Sequence, residues 1–425
     1  MLSFPQVTAI LAFTSAVVAA KPIRDDTAST TFLLDQPPGS KHLLTRPMEM
    51  LRVKRRYNIP VDEKLVAAAE RQARRMRETF SLELEARGDG QGVVGMTPQD
   101  RYDSGAVASL VIGEGEEGKM FRMLVGTASA DFWVFSSLQP KDQLRGHRYY
   151  IPDESKRMQN YTFFQGYDGG SMPAEGLVYK DTVTLGNLST TQIFAAATNV
   201  SRGWLDIPNY DGIIGLGFKD ANSITPGPQN TFFDNIRPSL AAPLFATCLR
   251  SHARGSIDFG YIDTEKVDGA ITYIDVLEDG WGVWGYIGNG FAIGSDSSQI
   301  TQRVLRTYLD MSTSTMFTQP DIVAAYWSRV TDAHLSDEEQ GYIYPCNATH
   351  LPQISFSVNG ARQLVQGDAM RTESFDKEGK WCFGGLQNIR GGVDFSLFGY
   401  NFMKDRFVVH EIQEGGEEEG WGLRG

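Results

Sequence analysis

A strand–turn–strand pattern occurs twice in this sequence. "LVGTASADFWVFSS" near residue 126 has a counterpart in "YLDMSTSTMFTQP" near residue 310. Each copy is followed 80–90 residues later by two apolar residues and a glycine, in "DGIIGLGF" (211–218) and "FSLFGYNF" (395–402). Because a chain of 425 residues exceeds one ordinary core, the repeat predicts two similar β lobes with a cleft between them.

Short strands account for most of the chain after residue 96. "GLVYKDTVTLG" (176–186) alternates apolar and polar residues and ends in a turn, and "SIDFGYID" and "GAITYIDV" repeat the pattern. The 44 glycines and 11% aromatic residues also favour strands and tight turns. The clearest helical signals are "TPQDRY" (97–102) and "PDIVAAYWSRV" (320–330). The sequence therefore predicts an all-β protein with few helices.

The first 20 residues form an apolar run that ends in small residues. This run predicts a signal peptide cleaved after Ala20, and hence secretion or passage through the secretory pathway to a vacuole. A membrane helix is the alternative, but Pro5 and several Ser and Thr residues dilute the run. The run also departs from the usual pattern because no Lys or Arg precedes it. No later segment has the length and apolarity to span a bilayer, so no membrane association is expected.

The balance of charged residues differs between the N-terminal part and the rest of the chain. Residues 21–95 carry 14 Lys and Arg against 11 Asp and Glu, whereas residues 96–425 carry 26 against 41. The acidic body is not expected to bind nucleic acid. The basic leader predicts a removable pro-segment over residues 21–95 that covers an acidic cleft. The alternative is an N-terminal extension without that role. Dibasic "VKRRYN" (53–58) and a basic amphipathic helix over 67–80 fit the pro-segment.

The three cysteines predict one disulfide in a secreted chain, with one cysteine left over. Cys248 lies in the apolar run "APLFATCLR", which predicts a buried free thiol. Cys346 and Cys382 would then close a loop of about 36 residues, worth about 3–4 kcal/mol by the chain-entropy estimate.

Four Asn-x-Ser/Thr sequons suit a secreted surface and mark candidate N-glycosylation sites. They lie at Asn160, Asn187, Asn199 and Asn347.

Between residue 96 and about residue 412 the sequence contains a series of distinctive motifs, in the order "ADFWVFSS", "YDGIIGLGF", "QNTFFDNIRPSLAAPLFA", "GSIDFGYIDTEKVDGAITYIDV", "GYIYPC" and "WCFGGLQ". In type and order these motifs resemble those of the pepsin-like aspartic proteases, most closely the secreted fungal aspergillopepsin and penicillopepsin type. It implies an all-β, bilobal pepsin-like fold. Two β lobes related by a pseudo-two-fold axis, residues 96–268 and 269–425, would flank a central cleft.

The family's mechanism uses two aspartates, one from each lobe, each in an Asp-Thr-Gly turn. They share one proton, so that one activates a water and the other assists the peptide carbonyl. Aligned through Asp131 and Trp133, Gly126 falls on the first aspartate position, and Asp310 falls on the second. The resemblance therefore implies an incomplete pair in which Asp310 is the retained acid.

The flanking turn residues have also changed. Thr127 is retained in the first turn, but Ala128 replaces its glycine. In the second turn Met311 replaces the Thr whose hydroxyl braces the two turns in the family, and Ser312 replaces the glycine that allows close approach.

Other positions of the cleft match the family. By resemblance, the hydroxyls of Ser129 and Thr313 are those that hydrogen-bond the outer aspartate oxygens. Tyr167 matches the tyrosine of the flap, "GYDGGSMPAEG", and Trp133 matches the tryptophan that packs beneath it. Tyr400 stands where the family has another acid.

Three functional hypotheses follow. The first is a peptidase homologue with lost or altered activity that still binds a peptide or small molecule in its cleft. The second is a single-acid catalyst in which Asp310 acts alone on a small molecule. The third is an active acid endopeptidase, which needs a replacement acid that the sequence does not offer.

Histidines are too few and scattered for a metal site, no cofactor is expected, and a monomer is expected.

Overall fold

Strands dominate the computed structural model, as the sequence predicts. It describes residues 12–19, 50, 54, 59–68, 71, 94–98, 105–114, 118–167, 172–205, 210–251, 253–267, 269–294, 300–372, 374–389 and 394–413.

Numbered in chain order, the strands form three sheets. In spatial order the largest contains β10 (Ile224–Thr225), β6 (Arg157–Tyr167), β7 (Met172–Leu185), β8 (Leu188–Val200), β5 (Phe132–Val134), β9 (Gly212–Gly215), β4 (Lys119–Gly126), β3 (Ala106–Ile112), β2 (Val94–Pro98), β12 (Gly255–Phe259), β11 (Leu244–Leu249), β24 (Arg406–Gln413), β1 (Ala12–Ala19) and β13 (Tyr273–Asp275). The second contains β20 (Ala361–Val365), β19 (Ile354–Val358), β14 (Gly285–Ile293), β15 (Thr301–Leu309), β23 (Ser396–Phe398), β16 (Met316–Thr318) and β22 (Leu386–Asn388). The third contains β17 (His334–Ser336), β18 (Gly341–Pro345) and β21 (Trp381–Phe383).

Helices in the described chain are short. The α-helices that lie wholly within the described residues are Arg202–Leu205, Phe232–Ile236, Pro320–Trp327 and Tyr400–Met403. The 3-10 helices are Lys141–Leu144, Glu154–Lys156, Lys219–Ala221, Arg237–Ser239, Thr264–Lys266 and Gly367–Met370. None of the helices in the described ranges is long and apolar enough to cross a membrane.

One pairing pattern occurs in both lobes. In the first lobe (β3–β10), β4 pairs in parallel with β9, β9 pairs antiparallel with β5, and β5 pairs in parallel with β8. In the second lobe (β14–β23), β15 pairs in parallel with β23, β23 pairs antiparallel with β16, and β16 pairs in parallel with β22. A spacing of 184 residues relates Gly126 to Asp310. The predicted pair of related β lobes is therefore confirmed.

Two glycines show how closely each lobe packs around its turn. Gly215 at the end of β9 and Gly399 after β23 are related by the same spacing of 184 residues. A Cβ added to Gly215 would lie well within 3.0 Å of the carbonyl oxygen of Ser129, and one added to Gly399 would lie as close to that of Thr313. Since real Cβ atoms do not come so near, each glycine is required by the close approach of its backbone to the turn.

A group of strands joins the lobes. β24 pairs with β11, β11 with β12, and β12 with β2. Residues Ala12–Ala19, which the sequence places in a signal peptide, form β1 between β24 and β13. Cleavage after Ala20 stays a prediction.

The cysteine assignments are confirmed. A disulfide joins Cys346 to Cys382 across 36 residues, and Cys248 is a buried free thiol in β11. Of the two helices predicted after residue 96, the one at 320–330 forms as Pro320–Trp327, with proline in its first turn. The helix predicted at 97–102 is wrong for Thr97 and Pro98, because they extend β2 and pair with β3. Residues 99–102 lie outside the described residues, as do most of 67–80.

His410 lies at the centre of the joining strands. Its ring stacks on Phe245 at 4.4 Å between centroids and meets Trp284 edge-on at 5.0 Å. The side chain is fully buried, and burial lowers the pKa of His410 to about 3.

This depressed pKa should make acid weaken the fold. Between the ordinary histidine pKa of about 6.5 and about 3, the unfolded chain binds a proton that the folded chain does not. We therefore expect His410 to lower the free energy of unfolding as pH falls through that window, by at most about 1.4 kcal/mol per pH unit. Urea unfolding at several pH values should show a shallower acid loss in His410→Phe than in wild type. The exposed His334→Gln variant serves as control, and parallel profiles for wild type and His410→Phe would contradict the expectation.

Candidate active site at the junction of the lobes

The two turns of the repeat meet at the junction of the lobes. Gly126 is the last residue of β4, and Asp310 directly follows β15. The backbone N–H of Asp310 donates to the carbonyl of Phe398 at 3.0 Å, which anchors the turn on β23. The carbonyl of Gly126 accepts from the N–H of Leu216 at 2.8 Å, next to β9. Both positions are thus fixed by the strands.

Asp310 is completely buried, and neighbouring hydroxyls hold its carboxylate. Thr313 Oγ1 donates to Oδ2 at 2.8 Å. Ser312 donates twice to Oδ1, from Oγ at 2.7 Å and from its backbone N–H at 3.0 Å. The hydrogen bond predicted for Thr313 is present. The hydroxyl of Ser312 is an additional donor that a glycine at this position could not supply.

Gly126 faces Ser312 across the junction. An ideal Cβ built on Gly126 would lie 3.6 Å from Ser312 Oγ and 3.7 Å from Ser129 Cβ, which are ordinary van der Waals distances. The site therefore has room for a Cβ at this position. Without a carboxylate on Gly126, Ser129 Oγ accepts a hydrogen bond from the N–H of Asp131 at 3.2 Å.

One half of the brace between the turns is present. The fully buried Thr127 donates through Oγ1 to the carbonyl of Leu309 at 3.0 Å, and the same oxygen accepts from the N–H of Met311 at 3.1 Å. In the second turn, Met311 has no hydroxyl to reciprocate and is buried in the apolar core. A single hydroxyl therefore makes both of these hydrogen bonds across the junction.

The flap is the hairpin of β6 and β7, in which Tyr167 pairs with Met172. Trp133 Nε1 donates a hydrogen bond to Tyr167 Oη at 3.0 Å, and the Tyr167 hydroxyl in turn donates to Asp131 Oδ2 at 3.4 Å. Trp204 packs edge-on against both Trp133 and Tyr167. The predicted contact between flap tyrosine and tryptophan is therefore seen directly, and the flap is tied to the first lobe.

Asp131 belongs to the scaffold of this region. It is fully buried, and it accepts from the N–H of Ser223 at 2.7 Å and from Ser223 Oγ at 3.1 Å. These contacts fix its carboxylate against the loop that leads into β10 rather than toward Asp310.

Residues from the N-terminal part of the chain pack at the same junction. Met50, Ile59 and Leu65 are buried in one apolar cluster with Ala128 of the first turn and Tyr308 of β15. The segment that the sequence predicts as a pro-segment therefore shares an apolar cluster with residues of the candidate site.

Sequence reasoning identified the two turns, the flap and the tryptophan, but it missed two contacts. The hydrogen bond from Ser312 to Asp310 was missed because a Gly-to-Ser change indicates lost space and does not reveal where the hydroxyl points. Ser223 was missed because it lies far along the chain from Asp131. No group of three or more His, Cys, Asp or Glu residues in the described ranges could hold a metal ion.

Comparison with known proteins defines the class. The family model described as eukaryotic aspartyl protease matches residues 108–415. The chain is 40% identical over 412 residues to Aspartic protease pepA of Leptosphaeria maculans, covering 97% of this chain and 96% of the relative. It is 31% identical over 416 residues to Aspergillopepsin-1 of Aspergillus fumigatus, covering 97% and 98%. It is 31% identical over 414 residues to Penicillopepsin-3 of Penicillium janthinellum, covering 97% of each chain.

The chain therefore belongs to the eukaryotic aspartyl protease family, and its relatives are fungal pepsin-like proteins.

Removal of the Thr127 hydroxyl should weaken the junction of the lobes. In Thr127→Val the buried N–H of Met311 loses its acceptor, so we expect a loss of about 1–3 kcal/mol in the free energy of unfolding. Thr184→Val is the matched control, because its hydroxyl bonds Ser189 at an exposed hairpin and its loss should cost about 0.5 kcal/mol or less. Urea unfolding of both variants checks the expectation, which fails if they lose equal stability.

Proposed function

We propose that this protein is a secreted member of the family that keeps a ligand-binding cleft and has lost hydrolysis by an aspartate pair. The first catalytic position is Gly126, and Asp310 is the acid that remains. The ligand class is a peptide, or a small molecule of similar shape. The proposed organisation is a signal peptide over 1–20, a pro-segment over 21–95, and a monomeric body.

The hydrogen bond from Ser312 Oγ to Asp310 Oδ1 carries this proposal. Hydrolysis by the pair needs a second carboxylate and a water activated between the two acids. Gly126 provides no carboxylate. Ser312 Oγ donates to the Asp310 oxygen at 2.7 Å and lies 3.6 Å from a Cβ built on Gly126. The hydroxyl therefore hydrogen-bonds the remaining acid and faces the position of the missing one.

The retained flap and the contacts of Met50, Ile59 and Leu65 support a binding role. The hairpin of β6 and β7 is anchored through Tyr167, which would cover a bound chain. The cluster around Ala128 accepts apolar side chains from the N-terminal segment, and side chains of a peptide would find the same contacts. A protein without the aspartate pair would not remove this segment itself. Secreted material that still carries residues 57–90 would agree with the proposal.

Loss of peptidase activity is the first expectation. The purified secreted protein should not cleave denatured haemoglobin or a peptide library at about pH 3–5, where such pairs are half-protonated. Loss of one acid–base partner typically lowers the rate about 10²–10⁴-fold, and members of a catalytic unit can cost more than that. Asp310→Asn should therefore leave the background unchanged. Pepstatin-sensitive cleavage that disappears in Asp310→Asn would overturn the proposal.

Reconstruction of the pair is the second expectation. Gly126→Asp alone should give little activity, because Met311 still lacks the second brace and Ser312 still donates to Asp310. Gly126→Asp combined with Met311→Thr and Ser312→Gly should cleave about 10²-fold or more faster than the single variant. Addition of Asp310→Asn to this triple variant is the control and should abolish the gain. Full activity from Gly126→Asp alone would show that the second turn does not limit the chemistry.

A single-acid catalyst is the second candidate. The observation in its favour is that Asp310 has no second carboxylate opposite it, because Gly126 carries no side chain and a Cβ built there would meet ordinary van der Waals contacts only. Turnover of a small molecule that depends on Asp310 but not on reconstruction would favour this candidate.

A further inference from the structure

The third sheet carries a depression that the proposed function does not use. It has a volume of about 770 Å³ and is lined by His334, Pro345, Asn347, Lys380 and Trp381, among others. It lies around the Cys346–Cys382 disulfide. A concave surface of this size is large enough for a small ligand.

Asn347 is fixed in position at the rim of this depression. β18 and β21 pair antiparallel so that Pro345 lies opposite Trp381. The N–H of Cys346 then donates to the carbonyl of Lys380 at 2.9 Å, and the disulfide closes the same pair of strands. Asn347 follows in an exposed turn, and Thr349, the hydroxyl residue of its sequon, is also exposed. The asparagine is therefore accessible and directly follows the strand that pairs with the one carrying the indole.

Trp381 offers an aromatic surface at this place. Its ring is partly exposed and meets His334 edge-on at 5.2 Å between centroids. The ammonium of Lys380 lies 5.5 Å from the indole centroid. One face of a pyranose ring presents C–H groups, which pack on an indole, while its hydroxyls remain free to accept from an ammonium. The depression thus has the chemistry of a sugar site.

The other three sequons have different surroundings. Asn187 lies in the exposed turn between β7 and β8. Asn160 is exposed in β6 with a positive φ of 67°. The amide of Asn199 already donates to Glu175 Oε1 at 3.1 Å and accepts from Gln143 at 2.9 Å. Asn347 itself lines the aromatic depression.

We propose that Asn347 carries an N-linked glycan whose first N-acetylglucosamine residues pack in this depression on Trp381. The sugar then forms part of the folded surface of the second lobe and stabilises the pair of strands, β18 and β21, that the disulfide links. This inference rests on the proposed entry into the secretory pathway, since N-glycans are added there.

The test is expression of the full chain with its own N-terminus in a secreting yeast. Peptide mass mapping after enzymatic removal of N-glycans in H₂¹⁸O should mark Asn347 as occupied. Asn347→Gln should remove one glycan and lower the Tm by about 1–3 °C, because contacts between sugar and indole are lost. Asn187→Gln is the matched control, and it should remove a glycan without a shift in Tm.

A double-mutant cycle identifies the contact itself. Trp381→Leu should lower the Tm of the glycosylated protein, and it should have a smaller effect in the Asn347→Gln background. If Trp381→Leu does not fold, His334→Ala at the exposed edge of the same surface replaces it in the cycle.

The outcomes separate this inference from the proposed function. An unmodified Asn347 beside an occupied Asn187 would overturn the inference and leave secretion intact. Additive effects of Asn347→Gln and Trp381→Leu would also overturn it, because the glycan would then not touch the indole. Protein retained in the cell with every sequon unmodified would overturn both.

Discussion

The close contact between the two turns is the constraint on which the rest of the molecule depends. Thr127 Oγ1 joins the carbonyl of Leu309 to the N–H of Met311 and so ties one lobe to the other at full burial. Gly215 and Gly399 let the adjacent strands pass against the turns at a distance that no side chain allows. The hairpin that forms the flap is tied to the first lobe through the hydrogen bond between Trp133 and Tyr167.

The chemistry of the junction depends on the side-chain hydroxyls that surround Asp310. Asp310 keeps its hydrogen bond from Thr313 but gains one from the hydroxyl of Ser312. A carboxylate held by protein hydroxyls does not need a partner acid to be satisfied within the fold. This explains how the site can be tightly ordered without Gly126 contributing a side chain. A fully hydrogen-bonded Asp310 therefore does not by itself indicate a working catalytic pair.

Much of this architecture could be predicted from the sequence, because its signals are local or repeated. The spacing between the two copies identified the lobes, and alternation identified β7. The helix at Pro320 was predictable from its proline. Thr97 and Pro98 were misassigned because strand pairing with β3 outweighed the local helical signal. The direction of the Ser312 hydroxyl and the contact of Ser223 with Asp131 could not be predicted, since both depend on three-dimensional approach.

The paired glycines have a consequence for how this protein can vary. Gly215 and Gly399 are required only for the close approach of backbone segments. Exchange of either glycine would therefore disturb the scaffold, whether or not the site binds or cleaves anything. A Cβ at position 126, by contrast, would meet ordinary van der Waals contacts only, so a side chain can begin there without displacing the backbone. Folding and chemistry are thus assigned to different residues only a few ångströms apart. The chemistry of the site can therefore change while the backbone of the surrounding strands stays the same.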